Sequence, residues 1–481
     1  NGLINLMDDL YVSITLNIYK DTILDSSSNN GDITVIGNVR SVGGVYDLTI
    51  STGTGSVSLR DGLKQVDDLT ISCYGLDFGD GISDTLYYGV SGDFEADVTT
   101  NFYIEHTLSV GGDFTFNGPG DIYMSDFENS GTFTTPPYFK VEGDFYLTGG
   151  TIHAGMVTDT IALYGDWINT GGDLDGVSAH FYGLTDQNVY SGGTGEGKAF
   201  EDFSITSLAS VILCEDTAVD HDLYMYLGTL DMGGSDLEIG GSLKVFGYYA
   251  NGDVSEASIV SDGGNSLSVA ALMTVEAIDA TDIISFDLSG YNGDISAQLF
   301  AIVGYTEGFS YLGTGSAIFG DNVSMTFLGS GSFGGVAMYI GPAATGTNTI
   351  TAGASTITCG GDWRNYGTWN AGTSTVKFNG TTTLLSDSTL TFHNIEILST
   401  GTLNAPGDTE NPEEIIVTGN WTNDGTFVHN DCLVTLDGTD QSISGDTTFY
   451  DLTKDISLDE ARTLTFEAGS TQVIENDLVL K

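Results

Sequence analysis

The sequence has few basic residues. Lysine and arginine together number 12, against 66 aspartates and glutamates, so the formal net charge is −54 at pH 7. Such a surface repels phosphate groups and anionic headgroups, and we therefore expect neither nucleic acid nor an acidic membrane leaflet as a partner. Two explanations of the acidity stay open: solubility in a salty medium, where counterions screen the repulsion, and divalent cations bound by loop aspartates.

Cysteines and long apolar runs are also scarce. The four cysteines form no cluster with each other or with histidine, so we expect no structural zinc site and favour buried free thiols over disulfides. They are Cys73, Cys214, Cys359 and Cys432. No run of about 18 apolar residues occurs, which argues against a transmembrane helix, and no basic segment followed by an apolar one opens the chain. Both ends are strand-like, and we interpret the chain as a processed protein or a piece of a longer one.

Glycine is abundant, at 66 residues, whereas proline is scarce, at 6. The glycines follow no collagen period. They lie in short turns between runs rich in Val, Ile, Thr, Phe and Tyr, a pattern typical of many short strands. Hydrophobic residues make up 40% of the chain, which is enough for a core. No segment shows a sustained helical period.

Internal repetition is the strongest signal in the sequence. Three segments share the order Gly-Asp/Asn-Trp-x-Asn-x-Gly, and they begin at Gly165, Gly361 and Gly419. The last two copies are 58 residues apart, measured from Trp363 to Trp421. We expect these two indoles to form internal stacks. Three ordered copies of this kind indicate a repeat protein.

Looser elements extend the repetition towards the N-terminus. Gly-Asp-Phe begins at Gly92, Gly112 and Gly143, and Asp-Leu-Thr-Ile begins at Asp47 and Asp68, 21 residues apart. Apolar runs broken by Gly, Asn, Asp and Thr predict short strands joined by tight turns. Coils of about 20 residues would stack their inward side chains and pair their backbones from coil to coil, and the 58-residue unit would span two to three coils. The predicted fold is an all-β solenoid of degenerate repeats.

The stretch 248–350 is different, because it lacks the Trp segments and has longer apolar phrases. We therefore divide the chain into a repeat-bearing β-solenoid over 1–247, this middle stretch, and a Trp-containing β-solenoid over 351–481. The middle stretch is interpreted as degenerate coils or a small β insertion, and we favour degenerate coils.

The repeated residues carry a resemblance. The Trp segments, followed by Val-x-Phe-x-Gly, resemble repeats of large prokaryotic surface and adhesin-like proteins. The segment that begins at Asp47, Asp-Leu-Thr-Ile-Ser-Thr-Gly-Thr-Gly-Ser-Val, is similar to β-helical exoproteins of the filamentous haemagglutinin type. The resemblance covers mostly 45–75, 110–245 and 355–455. It implies a right-handed parallel β-helix, surface exposure, and a role in adhesion, coat or filament formation, and it brings no catalytic residues.

Two aspartate-rich turns are candidates for weak calcium binding, since carboxylate oxygens are the ligands that calcium prefers. One turn holds Asp77, Asp80 and Asp84, and the other holds Asp437 and Asp440. Neither turn matches an EF-hand loop or a nonapeptide calcium repeat, and solvated turns are the alternative. Calcium is the one cofactor that we consider.

Three Asn-x-Ser/Thr sequons offer weak candidates for glycosylation, at Asn322, Asn379 and Asn420. In a host that glycosylates its surface proteins, modification there would support an extracellular location.

The first functional hypothesis is an extracellular, cell-surface structural protein that is not an enzyme: a subunit of a filament, sheath or S-layer-like assembly, or an adhesin stalk. Its partners would be further copies of itself or further coils of a longer chain. The alternative is a carbohydrate-binding or carbohydrate-degrading β-helix, such as a tailspike-like depolymerase, with surface glycans as ligands. A glycosidase needs two facing acids, for example Asp166 with Asp173 or Asp362 with Asp387. Such a site would break the repetition, and 248–350 is where we expect a break.

Overall fold

A short strand cannot bury its apolar face alone, so each coil of a repeat protein depends on its neighbours. The computed structural model describes residues 2–79, 86–124, 139–155, 160–246, 254–277, 283–304, 314–329, 335–342, 347–407, 414–455 and 462–481. Throughout these residues the chain is all-β, parallel strands pair in register from coil to coil, and no helix occurs. The prediction of a parallel β-helix is confirmed. Contacts divide the chain into two compact units, Asn1–His221 and Asp222–Lys481.

The first unit consists of short strands with inward and outward side chains in alternation. Its strands are β1 Gly2–Asn5, β2 Leu10–Val12, β3 Leu16–Ile18, β4 Thr22–Asp25, β5 Ile33–Val35, β6 Val39–Ser41, β7 Tyr46–Ser51, β8 Val57–Leu59, β9 Leu63–Cys73, β10 Leu76–Phe78, β11 Tyr87–Val90, β12 Phe94–Val98, β13 Asn101–Ile104, β14 Thr107–Val110, β15 Phe114–Phe116, β16 Asp121–Met124, β17 Phe139–Val141, β18 Phe145–Leu147, β19 Thr151–Ala154, β20 Thr160–Leu163, β21 Trp167–Asn169, β22 Asp173–Asp175, β23 Ser178–Phe181, β24 Gln187–Tyr190, β25 Phe203–Leu213 and β26 Thr217–Val219.

Three ladders of parallel strands form the walls of the first unit. Face 1 contains β1, β4, β7, β9, β12, β15, β18, β21, β24 and β25. Face 2 contains β2, β5, β8, β10, β13, β16, β19 and β22. Face 3 contains β3, β6, β9, β11, β14, β17, β20, β23 and β25. From β1 to β24 the strands belong to faces 1, 2 and 3 in turn, so one coil contributes to all three walls. The long strands β9 and β25 each contribute to two faces.

Aromatic rings fill the core of the first unit. Phe94, Phe114, Phe145 and Trp167 are register partners in successive coils of face 1, and all four are fully buried. The ring centroids of consecutive members are 5.4, 5.3 and 4.5 Å apart. Each such contact adds about 0.5–1.5 kcal/mol to the free energy gained by burying the rings. The Gly-Asp-aromatic elements of the sequence therefore supply one continuous internal stack.

The second unit repeats this design in the rest of the chain. Its strands are β27 Leu223–Asp231, β28 Leu237–Ile239, β29 Leu243–Phe246, β30 Val254–Val260, β31 Asn265–Val269, β32 Leu272–Ala277, β33 Ile283–Leu288, β34 Gly293–Ala297, β35 Leu299–Gly304, β36 Thr314–Phe319, β37 Ser324–Phe327, β38 Val336–Ile340, β39 Thr349–Thr351, β40 Thr356–Cys359, β41 Asp362–Asn365, β42 Thr368–Asn370, β43 Thr375–Phe378, β44 Thr381–Ser386, β45 Leu390–Phe392, β46 Asn394–Ile397, β47 Thr402–Asn404, β48 Glu414–Val417, β49 Trp421–Asn423, β50 Thr426–Val428, β51 Leu433–Leu436, β52 Gln441–Gly445, β53 Thr447–Phe449, β54 Asp451–Lys454, β55 Leu464–Phe466, β56 Gln472–Ile474 and β57 Leu478–Leu480.

Parallel ladders again form the walls. One contains β27, β29, β32, β35, β38, β41 and β44, and another contains β27, β30, β33, β36, β39 and β42. A third contains β28, β31, β34, β37, β40, β43, β46, β49, β52 and β55. Within 248–350, strand β30 pairs with β27 and β33, and β38 pairs with β35 and β41. The described strands of this stretch thus lie in the same ladders as their neighbours, while the domain boundaries drawn from the sequence stay a prediction.

The 58-residue repeat does not return to the same wall. Trp363 pairs with Met338 and Leu384 in one ladder, whereas Trp421 pairs with Ile395 and Ile443 in another. A 58-residue step is therefore not a whole number of coils. Both indoles are nevertheless fully buried against other aromatic rings, as predicted, because each wall presents the same inward surface.

The cysteines are all free: Cys73, Cys359 and Cys432 are buried, and Cys214 is exposed. The expectation of buried thiols is wrong for Cys214, because it follows the inward-facing Leu213 and strand alternation turns its side chain outward. Burial raises the pKa of Cys73 to about 12, so this thiol stays protonated at neutral pH. Within the described residues, no helix has the length and hydropathy of a membrane span.

The aromatic stack generates the first prediction. Phe145→Ala removes the ring between Phe114 and Trp167, and we expect it to lower the free energy of unfolding by about 3–5 kcal/mol, with a smaller loss for Phe145→Leu. The control Leu208→Ala, at a position 70% exposed, should change it by less than about 0.5 kcal/mol. Urea unfolding followed by tryptophan fluorescence measures all three. Equal midpoints for Phe145→Ala and the control would contradict the stack.

Candidate functional site

A column of aspartates follows one corner of the first unit. In successive coils an aspartate stands directly before the residue of face 1 that pairs from coil to coil. We call this column the aspartate ladder, and its members are Asp21, Asp47, Asp68, Asp93, Asp113, Asp144 and Asp166. The ladder unites the two sequence elements, Asp-Leu-Thr-Ile and Gly-Asp-aromatic, in a single structural position.

Each carboxylate of the ladder holds the next coil. Oδ1 of one aspartate accepts the backbone N–H of the following aspartate, and N···O distances run from 3.4 Å at the first two steps to 2.8 Å at the last two. Asp166 closes the series, accepting from the backbone and side-chain nitrogens of Asn188 at 2.7 and 3.0 Å. The sequence separation of these partners is the coil length, which varies from 20 to 31 residues.

The glycine of the Gly-Asp-aromatic element makes room for this contact. A Cβ at Gly112 would lie 2.2 Å from Oδ1 of Asp93, and a Cβ at Gly143 would lie 2.3 Å from Oδ1 of Asp113. No side chain fits at such distances, so glycine is needed wherever the carboxylate of the previous coil comes this close. The element is thus explained by packing between coils.

The ladder also stacks like charges. Burial is the main cause that raises the pKa of Asp47, and repulsion from Asp21 and Asp68 adds to it, while the hydrogen bond from the Asp68 backbone opposes the rise. Hydrogen bonds to an ionised acceptor are the strong ones, and they offset the repulsion between coils. Part of the acidity of the chain therefore serves coil-to-coil contact.

The Trp segments build corners of the same kind. Asn169 is 3% exposed, and its Oδ1 accepts the N–H groups of Gly171 and Gly172 at 3.2 and 2.8 Å. Its amide group donates to the carbonyl of Ser191, one coil on, at 3.0 Å. Asn365 and Asn423 stand at the equivalent positions of the other two copies, and each accepts an N–H from the glycine two residues on, at 3.1 Å.

A buried glutamine forms a second shared corner. Oε1 of Gln187 accepts the N–H of Gly183, and its amide donates to the carbonyls of Leu163 and Gly165 in the previous coil. Gln441 makes the corresponding contacts with Gly438, Val417 and Gly419.

Three of the five calcium candidates lie in the described part of the chain. Asp77 lies on face 2 of the first unit, and Asp80 and Asp84 lie outside the described residues. Asp437 and Asp440 are exposed, and Oδ1 of Asp440 accepts the N–H of Thr463 at 2.9 Å.

The ammonium group of a lysine side chain lies at the turn that holds Asp437 and Asp440. Nζ of the buried Lys454 donates to the carbonyls of Leu436 and Gly438 at 3.3 and 2.6 Å, and to Oε1 of Gln441 at 2.7 Å. Among the described residues no group of three or more His, Cys, Asp or Glu side chains is placed to hold a metal ion. Both calcium turns stay predictions.

Two of the three sequons lie at exposed asparagines, Asn322 and Asn420, and Asn379 is half-buried. Oδ1 of Asn420 accepts the N–H of Ser442 at 2.9 Å, so this amide already holds the next coil. Modification at all three sequons stays a prediction.

Three of the four acids suggested for a glycosidase contact neighbouring coils. Asp166 belongs to the ladder, and Asp173 forms an ion pair with Lys198 at 2.8 Å. Oδ1 of Asp362 accepts the N–H of Thr383 at 3.0 Å, and Asp387 is exposed.

The fold and these corners define the class of the protein, a parallel β-solenoid whose repeated polar residues cap one coil onto the next. No protein-family model, no curated protein and no solved structure matches the chain. Sequence reasoning missed the aspartate ladder. The signal was present, because an aspartate precedes the apolar run in both recurring elements, but their spacing varies from coil to coil.

The capping role of the ladder predicts opposite outcomes for two substitutions. Asp144→Ala removes the acceptor for the N–H of Asp166, and we expect a loss of about 1–3 kcal/mol in the free energy of unfolding. Asp144→Asn keeps an oxygen acceptor and removes one stacked charge, so stability at low salt should be unchanged or higher. Asp387→Ala is the exposed control. Urea unfolding measures the free energy of unfolding of each variant. An Asn variant as unstable as the Ala variant would contradict the capping role of the ladder.

The glycine that precedes a ladder aspartate gives a further prediction. Gly143→Ala places a methyl group against the Asp113 carboxylate, and we expect it to cost about 1–3 kcal/mol. Gly195→Ala is the control, since the nearest atom to its added Cβ is 3.9 Å away. Thermal unfolding compares the two variants. Equal melting temperatures would rule out a steric need for glycine at 143.

Proposed function

We propose that this protein is an extracellular, cell-surface structural protein: a subunit of a filament, sheath or S-layer-like assembly, or the stalk of an adhesin. The observation that carries the proposal is that the repeated polar residues hold the coils together. The aspartates of the ladder, Asn169 and its equivalents, and both corner glutamines all bind the backbone of their own or an adjacent coil. Repetition of this kind adds length and stiffness, which are the properties that a surface scaffold needs.

Net charge then governs how copies of the chain meet. Each copy carries −54, so two copies repel at low ionic strength. Self-association therefore needs screening by salt or a divalent cation that bridges carboxylates. Calcium is the cation proposed, with the exposed Asp437 and Asp440 as candidate ligands.

Negative-stain electron microscopy of the purified chain tests the proposal. Samples in calcium chloride, in sodium chloride at the same ionic strength, and in calcium chloride with excess chelator separate bridging from screening. We expect ordered filaments or sheets with calcium and their loss on chelation. The double variant Asp437→Asn and Asp440→Asn should need more calcium to assemble.

Assembly in sodium chloride alone would support the scaffold role and remove the calcium role. Isolated rods in every condition would overturn self-assembly and leave the stalk form of the proposal. Irregular aggregates without rods or ordered assemblies in any condition would contradict both forms.

A further inference from the structure

Face 2 of the first unit carries an outward column whose residues differ from coil to coil. Its outward column, in register from β8 to β19, reads Ser58, Asp77, Tyr103, Tyr123 and His153. None of these positions carries a repeated motif of the sequence. Surface residues that vary while the walls repeat are free to form a local site.

Three rings of this column form an ordered outer stack. The centroids of Tyr103 and Tyr123 are 5.2 Å apart, and those of Tyr123 and His153 are 4.7 Å apart. The His153 ring lies between two carboxylates, with Nδ1 2.8 Å from Asp175 and Nε2 3.8 Å from Asp121. The stack is therefore fixed at one end, and its rings are held in place before any ligand arrives.

A cavity of about 470 Å³ opens at the other end of the stack, next to Tyr103. Its size is in the range of small-molecule sites. Its lining includes Ser58, Arg60, Tyr74, Asp77, Asn101 and Tyr103. The wall thus combines two aromatic side chains with hydroxyl, amide, guanidinium and carboxyl groups.

Tyr103 lines this cavity, and Tyr123 stacks against its ring from the following coil. The register partner of Tyr103 in the preceding coil is Asp77, which also lines the cavity. Nδ2 of Asn101 donates to the Tyr103 hydroxyl at 2.8 Å, which holds the hydroxyl end of this side chain in position. Tyr74, 45% exposed, lies at the same cavity and offers a second aromatic surface.

Asp77 offers the cavity a carboxylate oxygen that is not hydrogen-bonded to any described residue. Its Oδ2 accepts a hydrogen bond from the Ser58 hydroxyl at 3.2 Å, and its Oδ1 is buried with no hydrogen-bond partner among the described residues. An unpaired buried oxygen costs free energy, and a ligand hydroxyl that donates to it would recover that cost.

We propose that this cavity binds a neutral oligosaccharide, with one pyranose ring stacked on Tyr103 and a sugar hydroxyl donating to Asp77. Aromatic faces pack against the C–H surface of sugars, and the surrounding groups can bind hydroxyls in either direction. The carboxylates of Asp77 and Glu105 outnumber the Arg60 guanidinium at the cavity wall, and this balance disfavours anionic ligands. A purely apolar ligand would leave the polar groups of the wall unpaired. The proposal goes beyond the scaffold role and does not depend on assembly.

Isothermal titration calorimetry of the full chain tests this site. The probes are cellohexaose, mannohexaose and laminarihexaose, with heparin as the anionic comparison. We expect at least one neutral hexasaccharide to bind and heparin not to bind at this site. Tyr103→Ala should weaken that binding about tenfold or more, which corresponds to about 1.4 kcal/mol. Tyr103→Phe should retain most of it, because the ring face is kept.

Tyr190→Ala is the matched control, since Tyr190 is 43% exposed, lies on face 1 and does not line the cavity. It should bind like the unmodified chain. A thermal melt of Tyr103→Ala that matches the unmodified chain excludes misfolding as the cause of lost binding. Failure of every neutral hexasaccharide to bind, or equal affinity for Tyr103→Ala and the control, would overturn the proposal, and so would binding of heparin alone.

Discussion

Pairing of the backbone between coils is the constraint on which the rest of this structure depends. In a parallel β-solenoid the N–H and C=O groups of one coil are satisfied by the next coil, so every wall must keep its register over many strands. Register places like residues above one another. The core then becomes columns of identical type, such as Phe94 to Trp167, and each corner must satisfy the polar groups that the turns leave over.

The aspartate ladder joins the coils of the first unit at one corner, and it links the recurring Asp elements of the sequence with its high negative charge. An aspartate can cap the next coil because its short side chain reaches one coil spacing, as Asp113 reaches the N–H of Asp144. When every coil uses this cap, the negative charges of successive aspartates lie one above another. The composition is therefore partly a consequence of the fold: acidity arises where coils are joined, and a salty medium makes it tolerable by screening.

Outward positions between the corners are under no such constraint. On face 2 the column changes from Ser58 to Asp77 to Tyr103 in successive coils, while the inward partners Val57, Leu76 and Phe102 all stay apolar. A rigid wall with a variable surface suits both functions considered for this chain. The proposed scaffold would use the repeated contacts, and the proposed ligand site would use the positions that do not repeat.

Sequence alone determined the architecture, because the period of apolar residues, the glycine turns and the three Trp copies depend on local chemistry. It also determined that the Trp363 and Trp421 indoles are internal. Only the tertiary structure decided which residues share a column. Coil lengths of 20 to 31 residues along the ladder hide the alignment of Asp47 with Asp144, and the 58-residue step changes wall. The cavity beside Tyr103 escaped the sequence for the same physical reason: its groups come from separate coils, and register between coils, rather than spacing along the chain, brings them together.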